Sequence, residues 1–130
     1  MKMLIVEDDV NLGLILQKYL ESYGAADIVV NGKQAVDITT AALAGGSPYD
    51  LIFLDIMMPE MDGQEALWQI RAQEEAWGVI PKNRAMIVMT TALDDSRNVR
   101  HAFSLCDAYL IKPIQNAKLI ETLRSLKLIP

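Results

Sequence analysis

At 130 residues the chain is long enough for one domain with a sizeable core, and 52% hydrophobic content demands elements covered on both faces. A net charge of −5 with scattered Lys and Arg excludes a nucleic-acid surface, which needs clustered cations. The apolar runs stop short of the roughly 18–20 residues of a membrane span, no signal-peptide core precedes Glu7, and the lone Cys106 cannot close an internal disulfide. These features lead to an expectation of a cytoplasmic protein without a membrane partner.

Met3 to Val6 reads as a first strand, running into Glu7-Asp8-Asp9. Asn11 is expected to cap a helix whose Leu12, Ile15, Leu16, Tyr19 and Leu20 follow the amphipathic spacing, ended by Gly24. Ala26 to Val30 is the second strand, and Asp27 within it suits a sheet edge. After Asn31-Gly32 a weaker helix covers Lys33 to Ala44 with Val36 and Leu43 inward, broken by Gly45-Gly46-Ser47-Pro48. Leu51 to Leu54 is an apolar run of the kind buried on both faces of a parallel sheet, and it ends in Asp55.

Beyond the turn residues Pro59, Asp62 and Gly63, a helix runs from about Gln64 to Trp77, with Leu67, Ile70 and Trp77 on one side. Met86 to Thr90 is the fourth strand. Ser96 to about Leu105 has helical spacing at Val99, Ala102, Phe103 and Cys106, with Cys106 in the core and His101 on the surface. Tyr109 to Ile111 is the fifth strand, closed by Lys112-Pro113. Asn116 is expected to cap a last helix with Leu119, Ile120, Leu123 and Leu126 inward, after which the chain stops. Trp68 and Trp77 read as packing or partner contacts.

Five β–α units in strict alternation imply an α/β fold, a parallel sheet with right-handed crossovers and helices on both faces. Ligands of such sheets bind beyond the carboxyl ends of the strands. Four of the five strand ends carry reactive groups: Glu7 and Asp8, Asp55, Thr90 and Thr91, and Lys112. Adjacent first and third strands would bring Glu7, Asp8 and Asp55 together. Crowded carboxylates repel, and hard oxygen donors suit Mg²⁺, with Lys112 adding a second positive charge.

The stretches Leu4-Ile-Val-Glu-Asp-Asp9, Leu54-Asp-Ile-Met-Met-Pro-Glu-Met-Asp-Gly63, Thr91-Ala92 and Tyr109-Leu-Ile-Lys-Pro113 together resemble the response-regulator receiver domain of two-component signalling. They stand in family order and span the chain. The resemblance implies a flavodoxin-like doubly wound five-stranded parallel sheet of order 2-1-3-4-5. It implies that Asp55 is the phosphoacceptor and that Asp8, Asp55 and the backbone carbonyl of Met57 bind Mg²⁺ or Mn²⁺, with Glu7 acting through a water. It also implies that Thr91 and Lys112 bind the phosphoryl group, that Tyr109 moves with the hydroxyl, and that the bond before Pro113 is cis. Thr90 competes with Thr91, since an ungapped count back from Lys112 favours it; Thr91 is preferred because the small Ala92 follows. Leu105 departs from the family, where many members have Gly, and Met57 and Met58 put apolar bulk where some members are polar.

The expected whole is a single receiver domain over residues 1–130 with no output domain, which is not an enzyme beyond its own phosphorylation and dephosphorylation. Its expected partners are a sensor histidine kinase or phosphotransfer protein and an unknown output protein, and its expected state is a monomer or weak dimer. Of the rival readings, an aspartyl-phosphate phosphohydrolase typically carries a second Asp two residues after the nucleophile, where this chain has Met57. A flavin module needs a Ser/Thr/Gly loop after the first strand, where this chain has Glu7-Asp8-Asp9.

Overall fold

The computed structural model describes residues 1–58, 61–92 and 105–130. Its strands are β1 (Lys2–Val6), β2 (Ala25–Val29), β3 (Leu51–Asp55), β4 (Met86–Thr91) and β5 (Ala108–Ile111). They form one parallel sheet in the order β2-β1-β3-β4-β5. The described helices are α1 (Val10–Leu20), α2 (Gly32–Ala44), α3 (Gly63–Ala76) and α4 (Asn116–Ser125), with a short 3₁₀ turn at Pro81–Asn83. The helix expected over Ser96 to Leu105, with His101, falls outside the described residues except for Leu105.

Strand alternation divides the core in two. Leu4, Val6, Ile52, Leu54, Ile87 and Met89 point to the face covered by α2 and α3, where they meet Ala35, Ala66, Leu67 and Ile70. Met3, Ile5, Leu51, Phe53 and Val88 point to the other face and meet Leu16 and Leu20 of α1 and Leu119 and Leu123 of α4. Every residue of β3 is buried, as befits the central strand of a sheet covered on both sides. β2 lies at an edge, and its Asp27 accepts a 2.6 Å hydrogen bond from the Tyr49 hydroxyl. Cys106 is buried and packs in the core, where burial pushes its thiol up from the ordinary range.

Several local expectations are corrected. Asp9, not Asn11, caps α1: its carboxylate accepts the N–H groups of Asn11 and Leu12 at 3.0 and 3.2 Å. A carboxylate there also meets the positive end of the helix dipole. Asn116 is the first residue of α4 rather than its cap, which is Gln115 with no side-chain bond. Trp77 is half exposed because it closes α3 as the C-cap, past the last turn that faces the sheet. In α2 the buried positions are Gly32, Ala35 and Thr39; Val36 packs against the core but is only partly covered, as is Leu43. Thr39 is tolerated inside because its hydroxyl donates to the Ala35 carbonyl at 2.7 Å.

Candidate phosphoacceptor site

The carboxyl ends of four strands deliver the site. Glu7 and Asp8 follow β1, Asp55 is the last residue of β3, Thr91 is the last of β4, and Lys112 follows β5. Parallel pairing sets these ends side by side: Val6 pairs with Leu54, Asp55 with Thr90, and Thr91 with Ile111. A carboxylate oxygen from each of Glu7, Asp8 and Asp55 lies within 4.8 Å of the others. Glu7 and Asp55 are buried, whereas Asp8 is open to solvent.

Lys112 reaches into this cluster from the end of β5. Its Nζ is 2.9 Å from Glu7 Oε1 and 3.1 Å from Asp55 Oδ2. The contact with Glu7 Oε1 is an ion contact without hydrogen-bond alignment, and that oxygen is otherwise sealed from solvent and unpartnered. Glu7 Oε2 accepts the Asp9 N–H at 3.1 Å, and Asp55 Oδ1 accepts the Met57 N–H at 3.2 Å. The Lys112–Pro113 peptide bond is cis. The Lys112 N–H donates to the Thr91 carbonyl at 2.7 Å, which ties the ends of β4 and β5 together.

Burial dominates the electrostatics. Desolvation raises the Glu7 carboxyl to about 7 against the opposing pull of Lys112. Asp55 is also raised by burial, with Lys112 again acting the other way. For Lys112, burial pushes the ammonium down, but its contacts with Glu7 and Asp55 outweigh that and hold it above its ordinary value. Among the described residues, one ammonium thus faces three carboxylates, and one of their oxygens is buried and unaligned. An all-oxygen donor set short of positive charge is what Mg²⁺ or Mn²⁺ binds, so the residues present fit such an ion.

The other expected site residues fall in distinct places. Met57 is exposed beside Asp55, tethered by its N–H. Thr91 is fully buried and its hydroxyl donates to the Ala92 carbonyl at 2.9 Å. Thr90, in register with Asp55, is buried too. Tyr109 stands outside the acid cluster: 43% exposed on β5, it lines a groove of about 580 Å³ with Lys112, Pro113, Ile114 and Lys118. Asp9, third acid of the run, is engaged as the α1 cap and so removed from the cluster, a choice between two good capping residues that turns on where the chain bends after Glu7.

The family described as the response regulator receiver domain matches residues 3–124. Among curated proteins, a probable histidine kinase 2 of Oryza sativa is 33% identical over 93% of this chain and 12% of its own length. The probable transcriptional regulatory protein SilR of Salmonella typhimurium is 34% identical over 97% of this chain and 50% of its own. The chain thus spans half the length, or far less, of these relatives. Among solved structures, the receiver domain of the Arabidopsis thaliana histidine kinase CKI1, complexed with Mg²⁺ and BeF₃⁻, is 30% identical with a TM-score of 0.83, covering 97% of this chain and 89% of that one. A CheY-like receiver domain from Methylobacillus flagellatus is 27% identical with a TM-score of 0.77, covering 97% and 98%.

Proposed function

This chain belongs to the response regulator receiver family, and from that premise we propose that Asp55 accepts a phosphoryl group from a phosphohistidine, making residues 1–130 one phosphorylation-dependent switch read by a protein partner. The observation that carries the reading is the convergence of Asp55 with Glu7, Asp8 and Lys112 at adjoining strand ends. The Asp55 carboxylate would form the new O–P bond as the P–N bond to the donor imidazole breaks. Lys112, already 3.1 Å from Asp55 Oδ2, would follow the charge to the phosphoryl oxygens.

Asp8, Asp55 and the Met57 carbonyl would hold Mg²⁺ or Mn²⁺ directly, and Glu7 would hold it through a water. The ion's contribution when bound is to neutralise phosphoryl oxygens. Support comes from the charge imbalance of the cluster and from the Mg²⁺ complex of the Arabidopsis receiver. Thr91 would turn its hydroxyl from Ala92 toward the phosphoryl group, and Tyr109 would repack on the β5 face. Phosphorylation adds roughly −1.5 to −2 charges at one carboxylate. It shifts a pre-existing equilibrium only by the difference in its interactions with the two states.

The donor would be a sensor histidine kinase or phosphotransfer protein. The chain would turn over no substrate beyond its own acyl phosphate. Incubation with acetyl phosphate and Mg²⁺, followed by intact-mass measurement, should show one added phosphate, and Asp55→Asn should remove it. Equal labelling of Asp55→Asn would refute the assignment.

A further inference from the structure

Gly63, the first residue of α3, is seated directly against the main chain of Asp55. A Cβ built there would lie 2.1 Å from the Asp55 carbonyl oxygen, 2.8 Å from the Asp55 carbonyl carbon and 2.8 Å from the Ile56 Cα. These are main-chain atoms with no flexible end to move aside. The chain leaves the sheet at Asp55, passes solvent-exposed Met57, and returns so that the Gly63 N–H donates to the Ile56 carbonyl at 2.8 Å. The Asp62 carboxylate caps α3 by accepting the Glu65 N–H at 2.9 Å, which fixes the helix end against that peptide. From the far side, the Ile56 N–H donates to the Thr90 carbonyl at 3.0 Å. The peptide that carries Asp55 is therefore gripped between β4 and the start of α3, and the grip closes only because residue 63 has no side chain.

We propose that Gly63 is a positioning residue for the acceptor: the missing Cβ lets the α3 terminus seat on the Asp55–Ile56 main chain and hold the carboxylate at its distance from Lys112. This rests on the assignment of Asp55 as phosphoacceptor. A methyl group at 63 forces the contact open by about 1 Å to reach any separation that real Cβ atoms show. Displacement on that scale separates Asp55 Oδ2 from Lys112 Nζ, now at 3.1 Å. Misplacing a reacting group by 1 Å costs about 100-fold in rate.

The test is Gly63→Ala in the full chain, with two readouts. The first is the rate constant of acetyl phosphate labelling at saturating donor and Mg²⁺, divided by the folded fraction measured under the same conditions; it should fall about 100-fold, whereas lost stability alone leaves the corrected value unchanged. The second uses metal-free protein and no phosphodonor. Amide exchange at Ile56 and Met57 should accelerate at least tenfold more than at Ile87, which global destabilisation moves equally. Should the variant be unfolded in plain buffer, both are measured in trimethylamine N-oxide, which restores compactness by exclusion from the chain surface, with the parent protein alongside. A corrected labelling rate constant within twofold of the parent's, or exchange at residues 56 and 57 that merely tracks Ile87, overturns the proposal. A parent protein that takes no phosphate at Asp55 instead defeats the reading of the site, and the exchange result still reports on the grip.

Discussion

Lys112 is held to Glu7 at least as closely as to Asp55, with Nζ 2.9 Å from Glu7 Oε1 against 3.1 Å from Asp55 Oδ2. The lysine therefore also neutralises a buried acid that the phosphoryl chemistry does not consume. Lys112→Met would leave Glu7 and Asp55 facing each other without a counter-charge. Removing one partner of a buried pair costs 3–5 kcal/mol, but Lys112 is partly solvated, so about 2 kcal/mol is expected at pH 7.5. Mg²⁺ should stabilise Lys112→Met more than it stabilises the parent, because the ion then supplies all of the missing positive charge. Urea unfolding with and without Mg²⁺ measures both effects, and an identical Mg²⁺ increment in the two proteins would contradict this account of the cluster.

Glu7 gives the metal-free protein a defined pH dependence. Its folded carboxyl titrates at about 7 against an ordinary value of 4.5, chiefly through burial. Between those values the folded state keeps a proton that the unfolded chain releases, so stability falls as pH rises through the window and levels off above it. Asp55 is raised as well and pushes the same way. Lys112 is held above its ordinary range and stays charged throughout, so it adds no slope there. The metal-free protein should melt at a higher temperature at pH 5.5 than at pH 7.5, and Glu7→Gln should flatten that difference. An undiminished slope in Glu7→Gln would mean that other groups carry the titration.

Thr90 and Thr91 separate by their surroundings. The main chain of Thr91 accepts the Lys112 N–H at 2.7 Å and its hydroxyl rests on Ala92, so movement at Thr91 is linked to Lys112 and onward to β5. Thr90 is the register partner of Asp55 inside the sheet. Thr91→Ala should still take up beryllofluoride but lose most of the resulting chemical-shift change at Tyr109, whereas Thr90→Val should keep it. The reverse pattern in NMR spectra would make Thr90 the switch hydroxyl.

The sheet was legible in the sequence because each strand is a short apolar run ending in a turn or a charge, and burial on both faces leaves that pattern little freedom. Strand order was carried by the family motifs, with the lone Asp27 marking the β2 edge independently. Helix ends were less legible. Asp9 and Asn11 are both good capping residues, and the choice depends on where the chain turns after Glu7, which composition does not record. The acid cluster was visible because its members terminate apolar strands. The close seat of Gly63 on Asp55 was not, since a Gly after Asp reads as a turn and only the folded chain reveals which atoms approach it.

The least legible feature was the inward charge on α3. Arg71 and Glu74 read as surface residues by type, yet both are buried. Arg71 donates to Glu74 Oε1 at 2.7 Å, Asp107 Oδ2 at 3.1 Å, and the carbonyls of Ala85 and Leu105 at 2.8 Å each. Glu74 Oε2 in turn accepts the Ala85 N–H at 2.8 Å, and Asp107 Oδ2 accepts the Ile87 N–H at 2.8 Å. The network closes the start of β4 and the approach to β5, at the opposite end of the sheet from Asp55. Arg71→Met would strand the Glu74 carboxylate and two carbonyls together, an expected cost of about 3–5 kcal/mol. Arg71→Lys should recover little of this, because a single ammonium cannot replace a planar fork that serves four acceptors. Replacing Arg71 and Glu74 together by apolar residues should not restore stability either, since the Ala85 N–H and the two carbonyls would still lack partners. Urea unfolding of the three variants tests the order. Acetyl phosphate labelling of the folded Arg71→Lys protein should keep the parent rate constant, because among the described residues the network touches none of the groups around Asp55. A single variant as stable as the parent would show that backbone or water satisfies these groups without the guanidinium.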